Sequence, residues 1–228
     1  LKERNRWLQE QLKLYLVLGS QDCQHSPVAV LSIASEALAG GVTALQFRDK
    51  GSRLTDQERR ELAEALQLLC RRHGALFLVN DDVSLAVSLK ADGVHVGQED
   101  MPLAEVRRLA GPDMIVGVSA GTVEEALAAQ AGGADYLGVG AMYATASKAD
   151  AGEPIGPTGM AQIRDAVGHQ LPIVGIGGIS SENLMPVLEA GADGIALISA
   201  ITRADSPKAA AQSLRRTIDE TLSRQPKV

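Results

Sequence analysis

Only two of the 228 residues are cysteines, Cys23 and Cys70. Neither stands in a metal-ligand spacing, which excludes a zinc framework and leaves both as free thiols. No apolar run reaches the length needed to span a bilayer, and no signal-peptide pattern is present. A membrane helix is therefore excluded, and a soluble cytoplasmic protein is expected. Positive charge is not in excess: 22 Lys and Arg stand against 28 Asp and Glu, a net charge of -6. That balance excludes general nucleic-acid binding and still allows a local basic pocket. Low-complexity segments and linkers are missing as well, so residues 1–228 are expected to form one domain, with residues 1–12 as an N-terminal helical extension carrying Trp7 and Leu8. At 45% hydrophobic the chain can fill a sizeable core.

What is present is alternation. Short apolar runs occupy 14–18, 43–47, 76–79, 93–96, 115–118, 136–139, 172–176 and 194–198. Most are rich in Val, Ile and Leu without polar alternation, as strands buried on both faces are. Helical patterns separate them, at 27–39, 56–72, 83–89, 102–110, 123–131, 159–167, 181–190 and 207–222. Ser26 stands at an N-cap position, and Thr55 with Glu58 reads as a capping box. Pro102 and Pro207 suit first helical turns. Strand then helix, eight times over, implies a parallel sheet, and the α/β fold expected at this length is a single (β/α)8 barrel with a short N-terminal helix. A doubly wound open sheet ranks second, because no Gly-rich dinucleotide fingerprint follows the first strand. Three similar segments, Gly40-Gly41-Val42-Thr43, Gly132-Gly133-Ala134-Asp135 and Ala190-Gly191-Ala192-Asp193, read as helix stops feeding the next strand. Residues 144–158 are the longest stretch without periodicity.

Such barrels carry their chemistry at the C-terminal ends of the strands, which makes a candidate set. Gln46, Arg48 and Lys50 alternate onto one face of the second strand, opposite Leu45, Phe47 and Asp49. An open sheet could wet that face at an edge; a closed barrel has no edge, and the two cations then read as an anion grip. Asn80, Asp81 and Asp82 follow the third strand, and Gln98, Glu99 and Asp100 the fourth. Ser119 follows the fifth, and Thr145, Ser147 and Lys148 the sixth. Two carboxylates with waters and phosphate oxygens suit Mg²⁺, so Asp81 and Asp100 form a candidate metal pair. Asp81 or Asp82 reads equally as the cap of the helix from Val83, and Asp100 as the cap of the helix after it. Gly177-Gly178 and Ile198-Ser199 end strands seven and eight, where backbone N–H groups commonly take a phosphate. Two anion sites are implied, one built from side chains and one from backbone. No nucleophilic triad is visible, and His95, inside the fourth strand, reads as a packed histidine.

Seven spaced motifs carry a resemblance: Gln46-Phe47-Arg48-Asp49-Lys50, Val79-Asn80-Asp81-Asp82, Gly93 through Asp100, Gly117-Val118-Ser119, Thr145-Ala146-Ser147-Lys148, Gly175 through Ile179, and Ile198-Ser199-Ala200. The chain resembles the thiamine-phosphate synthases from Leu14 to about Leu222. The resemblance implies a (β/α)8 transferase that condenses hydroxymethylpyrimidine diphosphate with hydroxyethylthiazole phosphate, by dissociative loss of pyrophosphate assisted by Mg²⁺. It implies that Gln46, Arg48, Lys50, Asn80, Ser119 and Lys148 hold the pyrimidine diphosphate, and that Asp81 and Asp100 hold Mg²⁺. Arg48, Lys50, Ser119 and Lys148 would take part in catalysis. Thr145, Ser147, Gly178, Ile198 and Ser199 would hold the thiazole phosphate. Its partners would be these two small molecules, with no nucleic acid and no membrane; self-association into a homo-oligomer is left open.

The chain departs from the family pattern where Ala141 and Ala144 replace prolines, Gly121 a histidine and Ser147 a threonine. None of these removes an implied phosphate or metal ligand. Two rivals remain: the thiazole tautomerase of the same fold, and a non-catalytic phosphate-ligand sensor on a barrel scaffold. The full set of Arg48, Lys50, Asn80, Asp81, Asp100, Ser119 and Lys148 favours the synthase over both.

Overall fold

The computed structural model describes residues 2–145 and 153–225. Eight parallel strands close in sequential order: β1 (Leu14–Leu18), β2 (Ala44–Phe47), β3 (Leu76–Asn80), β4 (Gly93–Val96), β5 (Ile115–Ala120), β6 (Tyr136–Val139), β7 (Ile173–Ile176) and β8 (Gly194–Leu197). Closure is made by Leu14, Tyr15 and Leu16 of β1 lying beside Ile195, Ala196 and Leu197 of β8. This is the expected (β/α)8 barrel.

Strand alternation divides the core in two. Leu14, Leu16 and Leu18, with Leu45, Phe47, Phe77 and Val79, point outward and pack under the helices. Tyr15, Val17, Ala44, Leu76, Leu78, Ile115, Tyr136, Val174 and Ala196 point inward and fill the barrel. The helical layer comprises α2 (Pro27–Ala39), α3 (Asp56–His73), α4 (Val83–Leu89), α5 (Leu103–Ala110), α6 (Val123–Ala131), α7 (Gly156–Val167), α8 (Leu184–Glu189), α9 (Ser199–Thr202) and α10 (Pro207–Ser223). The capping box forms as the sequence implies: Thr55 Oγ1 accepts from Glu58 N, and Thr55 N donates to the Glu58 carboxylate. Ser26 caps α2 by accepting from Ala29 N.

The N-terminal helix α1 (Lys2–Gln11) closes the floor of the barrel. Its Leu8 and the following Leu12 belong to the inner cluster, so they plug the N-terminal end. Asn5 donates to Gln170 O, Gln9 to Asp193, and Arg4 pairs with Asp135, all on turns that enter strands six to eight.

A repeated clasp tightens this floor. Asp92, Asp135 and Asp193 each precede a strand, and each accepts from the backbone N–H of the strand before it: Phe77, Val116 and Ile173. Arg107 reaches Asp135 from α5, and Arg164 reaches Asp193 from α7. Two of the three similar Gly/Ala-rich segments thus end in a clasping aspartate.

Several element bounds differ from the sequence reading. Thr43 lies before β2 because its hydroxyl bridges to the Leu14 backbone. Residues 181–183 are not helical: Asn183 Oδ1 accepts from Ser180 N and holds a turn before α8. Ile198 leaves β8 to become the N-cap of α9, an element the apolar run concealed. Helix α7 begins at Gly156, where Ile155 N and Gly156 N are tied to Ala141 O and Met142 O.

Candidate active site at the barrel mouth

The C-terminal ends of the strands surround a cleft of about 550 Å³. That lies within the range of about 300–1,000 Å³ typical of small-molecule sites. Lys50, Asp100, Ser119, Thr145, Gly178, Ile198 and Ser199 line it. A recess of about 30 Å³ lies inside the barrel, lined by Gln46, Arg48, Asn80, Ser119 and Ile198 among others. Ser119 and Ile198 border both spaces.

The trio on the second strand does not stay together as its alternation implies, because the strand ends at Phe47. Gln46 and Arg48, 4% and 8% exposed, share the inner recess, while Lys50 lines the cleft. Asp49 turns the other way and accepts from both N and Oγ of Ser20, at 2.7 and 2.6 Å. Its burial there holds the turn that presents Arg48 on one side and Lys50 on the other.

Lys50 Nζ lies 2.7 Å from Asp81 Oδ2. Asp81 occupies the left-handed backbone region, with φ 60. An aspartate tolerates that region at a cost of roughly 1–2 kcal/mol, and such strain concentrates at functional sites. The turn is held by Asp81 N donating to His95 O at 2.8 Å and Val83 N donating to Asp81 O at 2.9 Å. Helix capping falls to its neighbour: Asp82 Oδ1 accepts from Leu85 N, and Oδ2 meets Arg59. The choice between Asp81 and Asp82 is thereby settled, leaving the Asp81 carboxylate to Lys50 of the cleft wall. Asp100 is not a helix cap either, because Pro102 is the N-cap of α5 and Asp100 Oδ2 accepts from Gly97 N at 2.7 Å.

Burial pushes the Asp81 carboxyl above its ordinary range, and a hydrogen bond with the Asp100 carboxyl pushes it further, against the pull of Lys50. Two carboxylates this close disfavour each other's charge, and positive charge between them relieves that. This donor set fits a divalent cation such as Mg²⁺, which takes one or two carboxylates and completes its shell with water and phosphate oxygens. Among the described residues no three His, Cys, Asp or Glu side chains gather around one point, as an all-protein metal cage would require.

On the far rim, Gly177 and Gly178 have φ of 102 and 65. A Cβ on Gly178 would lie 2.6 Å from Ala144 O, and one on Gly177 2.8 Å from Ala141 Cα. Both glycines therefore serve the turn and a close approach between the loops after β6 and β7. That approach is fixed by Met142 N donating to Ile176 O and Tyr143 N to Gly177 O, both at 2.9 Å. Ser147 and Lys148 lie outside the described residues.

The sequence reading missed a chain of polar groups beneath the mouth. Gln46 Nε2 donates to Tyr15 Oη at 2.9 Å, Tyr15 Oη meets Tyr136 Oη at 2.8 Å, Tyr136 Oη meets His95 Nδ1 at 2.9 Å, and His95 Nε2 meets Ser119 Oγ at 2.9 Å. His95 is packed, as expected, and both of its ring nitrogens are engaged. A tyrosine among aliphatic residues at the start of β1 and another at the start of β6 were the available signal, since a buried phenol needs a partner.

Comparison with known proteins agrees with this geometry. The family model described as thiamine monophosphate synthase matches residues 14–201. A thiamine-phosphate synthase of Geobacillus kaustophilus is 50% identical over 218 residues, covering 95% of this chain and 96% of the relative. Another from Geobacillus thermodenitrificans is 50% identical over 214 residues, covering 93% and 95%. The solved thiamine phosphate pyrophosphorylase of Pyrococcus furiosus superposes with a TM-score of 0.84 at 40% identity, covering 94% of this chain and 99% of that one. With the family model spanning the barrel from β1 into α9, and relatives half identical along nearly their whole length, the chain belongs to the thiamine monophosphate synthase family.

Proposed function

We infer that the protein is a transferase that joins hydroxymethylpyrimidine diphosphate to hydroxyethylthiazole phosphate, forming thiamine phosphate and releasing pyrophosphate. Family membership and the identity to two synthases support the reaction. The observation at the site that carries the reading is the meeting of Lys50, Asp81 and Asp100 on one rim of a cleft whose other rim is Gly178, Ile198 and Ser199. A charged end and a backbone-lined end give one anion site for each phosphorylated substrate.

On this reading Gln46, Arg48, Asn80 and Ser119 seat the pyrimidine diphosphate, together with Lys50 and Lys148. Asp81 and Asp100 are the residues that would hold Mg²⁺, which supplies charge neutralisation on the departing pyrophosphate when bound. Arg48, Lys50 and Lys148 supply fixed positive charge to the same group, so the C–O bond can ionise before the new bond forms. The thiazole nitrogen then attacks the pyrimidinylmethyl carbon. Thr145, Ser147, Gly178, Ile198 and Ser199 would hold the thiazole phosphate so that this nitrogen faces the carbon. No covalent nucleophile is required; orientation and charge do the work.

The test is to mix both substrates with Mg²⁺ and follow thiamine phosphate and pyrophosphate together. The two products should appear in equal amounts and only when both substrates are present. No product, with tight thiazole phosphate binding retained, would overturn the synthase reading in favour of the tautomerase or the sensor.

A further inference from the structure

We propose that Tyr15, Tyr136 and His95 are positioning residues that fix the His95 ring with its proton on Nε2 and thereby present the Ser119 hydroxyl to the cleft as a hydrogen-bond donor. The functional half of this proposal rests on the synthase reading; the structural half does not.

The direction follows from donor counting. Gln46 Nε2 donates to Tyr15 Oη. A phenol has a single hydrogen, so Tyr15 passes its own to Tyr136 Oη, and Tyr136 passes its own to His95 Nδ1. An imidazole that accepts at Nδ1 carries its proton on Nε2 and donates from there, here to Ser119 Oγ. Ser119 has then accepted, and its own hydrogen is directed outward, where it borders both the recess and the cleft. Burial pushes the Tyr15 hydroxyl up to about 12 and the Tyr136 hydroxyl well above the ordinary phenol value, so both hydrogens remain in place at neutral pH. The chain therefore transmits orientation rather than charge.

The same direction excludes the obvious alternative. A serine 2.9 Å from a histidine looks like a nucleophile and its base. In such a pair the third group accepts from Nδ1–H, which frees Nε2 to take the serine proton. Here the third group is a phenol that itself receives a hydrogen bond, so it donates to Nδ1 and leaves Nε2 already protonated. Ser119 is not activated as a nucleophile. It is held as a donor, the role an anionic leaving group can use.

Two glycines show that the arrangement is built into the barrel. A Cβ on Gly117 would lie 2.1 Å from Tyr136 Cζ, and one on Gly138 would lie 2.9 Å from His95 Cε1. Both are inward positions of strands β5 and β6, and their missing side chains are the slots in which the two rings lie. Tyr136 is fully buried and Tyr15 is 2% exposed, so neither ring is open to bulk solvent.

The experiment uses the ligand-free, full-length enzyme with 15N-labelled histidine. Long-range 1H–15N correlation spectra distinguish the two neutral tautomers, and the His95→Gln spectrum assigns the signal among the four histidines. His95 should carry its proton on Nε2. Tyr15→Phe, which removes the hydrogen bond that Tyr136 receives, and Tyr136→Phe, which removes the donor to Nδ1, should each give a mixture of the two tautomers. In the coupling assay Tyr136→Phe should lower kcat roughly three- to tenfold, the value of one aimed hydrogen bond, with KM for the thiazole phosphate unchanged. His95→Gln, which keeps an N–H in the Nε2 position, should retain more kcat than His95→Phe. Melting curves for each variant identify loss of fold. A wild-type ring protonated on Nδ1, a tautomer unmoved by Tyr136→Phe, or full kcat in folded Tyr136→Phe would each overturn the proposal. A wild-type protein that made no thiamine phosphate would sink the synthase reading, while the tautomer measurements would still decide the direction of the chain.

Discussion

Replacing Gly117 with alanine should damage this protein far more than one added methyl group normally does. The new Cβ would sit 2.1 Å from Tyr136 Cζ, 2.3 Å from Cε1 and 2.5 Å from Oη, whereas ordinary contact begins at 3.4 Å. The ring has to retreat by roughly 1.3 Å into an interior packed to crystal-like density. Ile115, Val174 and Tyr15 belong to the same inner cluster, all at most 5% exposed, and the recess of about 30 Å³ that the ring borders is too small to take it. Overpacking of this kind costs about 1–3 kcal/mol. Moving the hydroxyl also breaks its bonds to Tyr15 and His95, and each buried group left unsatisfied adds about 1–3 kcal/mol. A loss of about 4 kcal/mol is a large part of the roughly 5–15 kcal/mol that holds a domain folded. For a chain of this size it lowers Tm by about 8–16 °C. Thermal melts followed by circular dichroism check it, with two comparisons. Gly138→Ala, whose Cβ would meet His95 Cε1 at 2.9 Å, should lose less. Gly133→Ala has open space around it and only an unfavourable φ of 85, so its loss should stay near 1–2 kcal/mol. If Gly117→Ala melted within 2 °C of wild type, or no lower than Gly133→Ala, the argument from the ring slot would be wrong.

Other perturbations separate the two ends of the barrel. Asp81→Asn should lower kcat by roughly a hundredfold or more, the scale of losing one charge-stabilising element. Because the folded state raises the Asp81 pKa, its ionised carboxylate is a penalty at pH 7 that fades as pH falls through the raised value. The cation-free Asn variant should therefore melt no lower than wild type at pH 7, with any advantage shrinking in acid; a clear loss of Tm at pH 7 would contradict this. Arg164→Met should lower stability by about 3–5 kcal/mol, because the half-buried Asp193 loses its cation and the Gly168, Leu171 and Gly191 carbonyls lose their donor. Its kcat at a temperature where it stays folded should match wild type, since the clasp lies at the end away from the cleft. Burial raises the thiols of Cys23 and Cys70 to about 11 and about 12, so a thiol reagent at pH 8 should label neither in the native protein and both in denaturant.

The fold was legible because each strand announces itself as a short run of Val, Ile and Leu, and each helix as a capped periodic stretch. Bounds were legible only where local chemistry decides them. Thr55 and Glu58 mark α3 because a capping box is a local device, whereas α9 lies hidden after an apolar run that ends in Ile198. At the site, Lys50, Asp81 and Asp100 could be placed at one mouth from strand order alone. Which aspartate caps α4 could not, since Asp81 and Asp82 differ only in backbone dihedrals that no composition encodes. The Tyr15–Tyr136–His95 chain was illegible for another reason. Its residues come from strands one, six and four, and the glycines that seat their rings look in sequence like ordinary strand glycines.

The floor laid down by Leu8 and Leu12 closes one end of the container. Among the described residues, the recess beside Gln46 and Arg48 has its open side toward the cleft, past Ser119 and Ile198. A substitution in the floor thus changes how firmly the container holds together before it changes what the container admits.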